Sequence, residues 1–74
     1  MSITLKAARV NAGLTQADFA KALGVTIPTI RAYERGESFP DVPKLERIRE
    51  VTGVGYEDLI FLKSNPVKPE KTTI

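Results

Sequence analysis

The feature that most constrains this chain is residues 15–36, TQADFAKALGVTIPTIRAYERG. It contains two short patterns of helical period with only Gly24-Val25 between them, too little chain for a loop. In the first pattern Phe19, Ala20 and Leu23 fall on one face. In the second, Ile30 and Tyr33, with Glu34 beside them, fall on the matching face. Two short helices that share one apolar contact across so brief a connection have to cross at a steep angle. The outer face of the second helix is then left without a partner inside the domain.

Local chemistry points the same way. Thr15 and Asp18 have the spacing of a capping box, in which the hydroxyl accepts a first-turn N–H and the acid reaches back. This predicts a helix over residues 16–23. Gly24 suits a left-handed backbone, which lets Val25 turn into the core. Thr26 caps the next helix, and Pro28 falls in its first turn, where a missing N–H costs nothing. That helix runs to about Arg35 and stops at Gly36. The arrangement is a helix-turn-helix, whose second helix is free to lie in a DNA major groove.

Spacing leaves Ile27, Pro28, Thr29, Arg31 and Ala32 on the outside of that helix. An isoleucine and a proline facing water are poor choices unless the face meets something. Contact with thymine methyls is one such use, and Arg31 can donate twice to a guanine. The alternatives are a staple-like core contact for Ile27 and a solvated charge for Arg31. Gln16 stands in the first turn of the preceding helix, where the dipole and free N–H groups favour a phosphate. A solvent-facing polar side chain is the other reading.

The rest of the chain supports this unit. A first helix is expected over residues 4–12, capped by Ser2 or Thr4, with Leu5, Ala8, Arg9 and Ala12 on one face and Gly13 ending it. Arg9 lies beside the apolar stripe, so it either snorkels or pairs with Glu34 in a partly buried ion pair. Residues 37–41 form a loop. A fourth helix follows from residue 42 or 43 to 51, with Val42, Leu45, Ile48 and Val51 at helical spacing. Gly55 opens a fifth, YEDLIFL, in which Tyr56, Leu59 and Ile60 are expected on the core. Phe61 and Leu62 cannot both be buried on that side. A subunit contact through Ile60, Phe61 and Leu62 and a core role both fit.

Composition narrows the function. Seventy-four residues make one domain with a modest core, read as a folded unit over residues 1–62 and an extended or disordered basic tail over residues 63–74. The chain has no cysteine and no histidine. Disulfides, the usual zinc sites and the commonest general base are thereby removed, and no metal, cofactor or enzymatic activity is expected. The net charge is +2, but residues 1–62 carry eight basic and eight acidic side chains. The excess sits in Lys63, Lys68 and Lys71 against Glu70, either as weak attraction to phosphates or as a solubilising tail. No apolar run approaches membrane-spanning length and the N-terminus lacks a signal peptide's apolar region, so a cytoplasmic location is expected.

With LTQADFAKALGVTIPTIRAYERG and FPDVPKLERIREVTGVGYEDLI in view, the chain resembles the Cro/CI-type (Xre-like) helix-turn-helix family of phage repressors, Cro proteins and bacterial regulators. The likeness covers about residues 3–62 and is nearest to a small phage or prophage Cro-like regulator. It implies an all-α, five-helix, lambda-repressor-like DNA-binding domain. Its third helix would read the major groove of double-stranded operator DNA, usually as a homodimer on a palindrome. Thr15 and Gln16 are assigned to phosphate, Gln16 matching the glutamine that also braces the first reading residue of the third helix. Ile27, Pro28 and Ala32 match base-reading positions, with Thr29 and Arg31 as neighbours. Arg35 and the loop through Ser38 match phosphate contacts, and Arg9 with Glu34 matches a salt-bridged pair. The chain departs from the family at Ile27, Pro28 and Ala32, which cannot form bidentate hydrogen bonds, and at Glu37 and Asp41, which are acidic. Those departures fit a second expectation, an antirepressor that keeps the fold but binds a partner repressor protein.

Overall fold

The computed structural model describes residues 2–61. In chain order these form β1 (Ile3–Thr4), α1 (Leu5–Asn11), α2 (Gln16–Leu23), α3 (Ile27–Arg35), α4 (Val42–Thr52), a single 3-10 turn (Tyr56–Asp58) and β2 (Leu59–Ile60). Each α-helix starts on a side-chain cap. Thr4, Thr15 and Thr26 accept from the N–H of Ala7, Asp18 and Thr29, and Asp41 accepts from that of Lys44. At Thr15 the box is complete, because its own N–H donates to Asp18 Oδ2 at 3.2 Å.

The turn between α2 and α3 is set at Gly24, where φ is +74°. A Cβ there would meet nothing within 4 Å. Glycine is therefore required by conformation rather than by space. The left-handed residue lets Val25 N–H return to Ala20 C=O at 2.9 Å, closing the end of α2. Gly36 (φ +76°) ends α3 in the same way, with Glu37 N–H on Ala32 C=O.

Leu5, Phe19, Ile30 and Ile48, one from each helix, are almost wholly buried at the centre, joined by Ala20, Leu23 and Tyr33. Burying a side chain of this size contributes about 1.5–3 kcal/mol. The ring of residues packed around them includes Ile27, Leu45, Val51, Leu59 and Phe61. Ile27 thus has the core contact that was one of its two readings.

The expected fifth helix does not form. Gly55 supplies no side-chain cap, and only Tyr56–Asp58 coil, as one 3-10 turn. The next residues then run extended, Leu59 and Ile60 pairing in parallel with Ile3 and Thr4. A seven-residue uncapped segment is too short to sustain a helix against that competing backbone pairing. The fold is therefore four α-helices held by a two-stranded clasp, not five helices, among the described residues. Three side chains expected on the core also face out. Val42, the first residue of α4, Tyr56 and Ile60 are exposed, and Pro40 is buried just ahead of Val42 instead. Ala12 lies beyond the end of α1 and is exposed. Leu62 and the tail lie outside the described residues. Among the described residues no helix is long and apolar enough to cross a membrane.

Candidate nucleic-acid interface

Ile30 and Tyr33 anchor α3 in the core, which fixes the rotation of its opposite face. On that face Pro28 and Arg31 are exposed, while Ile27, Thr29 and Ala32 are half-buried. Thr29 Oγ1 lies 2.8 Å from Thr26 Oγ1, so one hydroxyl of the cap is already engaged by the other. Arg31 is the one side chain of this face that carries several hydrogen-bond donors.

Behind the face runs a polar chain. Arg9, on α1, donates through Nε to Glu34 Oε2 at 2.6 Å and through Nη2 to Glu34 Oε1 at 3.4 Å. Its Nη1 donates to Leu14 C=O at 2.9 Å, so each guanidinium nitrogen has an acceptor. The two side chains are only 9% and 6% exposed. A charge pair this dry is tolerable only with its donors and acceptors matched, which the Leu14 carbonyl completes. Glu34 Oε1 also accepts from Gln16 Nε2 at 3.1 Å, and Gln16 Oε1 accepts from Arg31 Nε at 3.3 Å. A continuous path therefore joins α1 to the outer face of α3: Arg9, Glu34, Gln16, Arg31.

The remaining site residues divide between two ends. Thr15 has its hydroxyl in the capping box and Gln16 has both ends of its amide engaged, so neither side chain is free for a phosphate in this geometry. The first-turn N–H groups of Gln16 and Ala17 are the orphan donors left at that end of α2. At the other end of α3, Arg35 pairs with Glu37, Nε to Oε2, at 3.3 Å. Those side chains are 63% and 48% exposed, and Ser38 follows half-buried in the loop. Tyr33, on the inner face, has its hydroxyl pushed above the ordinary value by burial, with the Asp41 carboxylate adding to the shift. Among the described residues no group of acidic side chains is arranged to hold a metal ion.

Away from α3, a surface that sequence reading passed over brings Phe39 and Phe61 edge to face at 5.8 Å, beside exposed Val42 and Tyr56. Phe39 stands alone in the loop sequence, with no period to mark it. Of the expected subunit-contact residues, Ile60 is exposed and Phe61 packs on the core rim.

The sequence profile of the helix-turn-helix family matches residues 5–59. The chain belongs to that family. Similar helix-turn-helix proteins include an uncharacterized HTH-type transcriptional regulator of Haemophilus influenzae, 43% identical over 56 residues, which are 76% of this chain and 22% of the relative. The HTH-type regulator YqaE of Bacillus subtilis is 38% identical over 86% of this chain and 55% of its own. The regulator MJ0272 of Methanocaldococcus jannaschii is 37% identical over 88% of this chain and 98% of its own. The chain thus spans about a fifth and about half of the first two relatives. No solved structure matches it at comparable stringency.

Proposed function

We propose that this protein is a non-enzymatic, sequence-specific DNA-binding transcription regulator of the Cro or repressor type, acting in the cytoplasm without a cofactor. The observation that carries this reading is Arg31: exposed on the outer face of α3, held at Nε, with no partner for its two terminal nitrogens among the described residues. A guanidinium so presented matches the O6 and N7 acceptors of guanine in the major groove. Pro28, Ala32 and the exposed edge of Ile27 then meet thymine methyls and groove shape, and Thr29 stays with its cap. Phosphates are met at the start of α2, beside the Thr15 cap, by the free backbone N–H groups of Gln16 and Ala17, and by Arg35 and Ser38 beyond α3. The three curated relatives all bear names of HTH-type transcriptional regulators, which supports the same reading.

A second copy would complete the reader, because one short helix covers only half a palindrome. The contact is assigned to exposed Ile60 and to Phe61, which meets Phe39 beside exposed Val42 and Tyr56, together with Leu62, which lies outside the described residues. That same surface favours the second reading, an antirepressor that docks on a repressor protein.

Selection of bound fragments from random DNA, followed by footprinting, separates the two. The regulator yields an enriched site with two half-sites about 10 base pairs apart, centre to centre. An antirepressor enriches nothing alone and shifts DNA only together with the repressor.

A further inference from the structure

We propose that Gln16 is a specificity-determining positioning residue, locked by Glu34 so that it aims the Arg31 guanidinium at a guanine. The inference rests on the DNA-reading role of α3 and names what sets its one polar contact.

The amide of Gln16 has two chemically different ends, and its surroundings distinguish them. Glu34 is a carboxylate and can only accept, so the end facing it has to be the NH₂. Arg31 can only donate, so the end facing it has to be the carbonyl oxygen. Both requirements are met by one orientation, and rotating the amide by half a turn would set oxygen against carboxylate and NH₂ against guanidinium. The orientation is held further because Glu34 is itself fixed by Arg9 in the buried pair. Ile27, at the start of α3, has no polar atom for Gln16 to hold, and Arg31 takes that place.

The atom used matters as much as the bond. Gln16 engages Nε, the nitrogen nearest the chain, and leaves Nη1 and Nη2 together as an end-on fork. That fork is what a guanine edge accepts with O6 and N7. An arginine of this length loses much side-chain entropy when ordered, and one bond at Nε removes part of that loss before DNA arrives. The α1–α3 ion pair thereby acts on base choice without touching DNA.

The test measures the affinity of the full chain for its selected site and for single-base variants of that site, alongside thermal melting. The set comprises wild type, Gln16→Met, Gln16→Glu, Arg31→Ala and the Gln16→Met/Arg31→Ala double variant. Gln16→Met is expected to lower the preference for guanine at one position by about tenfold, within the range a bidentate contact supplies. It lowers affinity for the guanine-containing site more than affinity for random DNA, and it has no further effect on preference once Arg31 is alanine. Gln16→Glu separates positioning from structure: its carboxylate beside Glu34 lowers the melting temperature, yet its oxygen still holds Arg31 Nε, so the guanine preference survives. Equal loss on all sequences in Gln16→Met, or loss of preference in Gln16→Glu in step with stability, overturns the proposal. If Arg31→Ala keeps the guanine preference, the reading role of Arg31 fails first, and the role of Gln16 with it. If Arg31→Ala loses that preference and Gln16→Met keeps it, only the inference about Gln16 falls.

Discussion

Glu34 and Arg35 are neighbours on α3, and each makes an ion pair, but the two pairs do opposite work. Glu34 turns inward to Arg9, where both side chains are nearly dry and their polar atoms are matched. Arg35 turns outward to Glu37, where water surrounds both. Desolvation makes the first pair hard to break and impossible to exchange, since a lone buried charge has no alternative partner. Screening makes the second pair weak, so a phosphate can replace Glu37 at little cost. One step along the helix therefore separates architecture from the proposed binding surface.

The largest effect expected from that contrast is at the inner pair. Arg9→Met leaves the Glu34 carboxylate buried with only Gln16 as donor, and is expected to destabilise the fold by about 3–5 kcal/mol in urea unfolding. Arg31→Ala comes next: it leaves stability unchanged and costs about 1–3 kcal/mol of binding at one base pair, read from affinities for single-base variants. The outer pair follows. Glu37→Gln frees Arg35 and raises affinity about twofold on every sequence in a low-salt mobility shift, equivalent to ~0.4 kcal/mol. If Glu37→Gln destabilised the fold as Arg9→Met does, the distinction between the pairs would collapse. The smallest effect lies at Tyr33. Burial raises its folded pKa, so the unfolded chain ionises first as pH climbs past the ordinary value near 10. Stability from the neutral phenol is complete below that pH and is lost above it. Tyr33→Phe is expected to lose less stability than wild type across this alkaline range, measured by urea unfolding.

Two stretches of the chain are unequally legible in sequence. Residues 15–36 carry their structure locally, in a capping box, a left-handed glycine and an apolar stripe, and each of these acts within a few residues. Residues 55–61 do not, because their state depends on Ile3 and Thr4, more than fifty positions away. The YEDLIFL pattern reads equally well as a short helix or as a turn and strand, and only the distant backbone partner decides. Phe39 shows the same limit, since its contact with Phe61 leaves no mark in loop composition. At the site, spacing alone separates the inner from the outer residues of α3. The link from Gln16 to Arg31 was out of reach, because it depends on two side-chain conformations and the angle between α2 and α3.

If Arg31 on α3 contacts a guanine from the major groove, as proposed, methylation interference reports that contact itself. A methyl on guanine N7 occupies the acceptor that the Arg31 fork requires. Each half-site of the selected DNA is expected to hold one guanine whose N7 methylation blocks wild-type binding and leaves the residual binding of Arg31→Ala unaffected. An interference pattern that is the same for both proteins, or that contains no guanine at all, would contradict it.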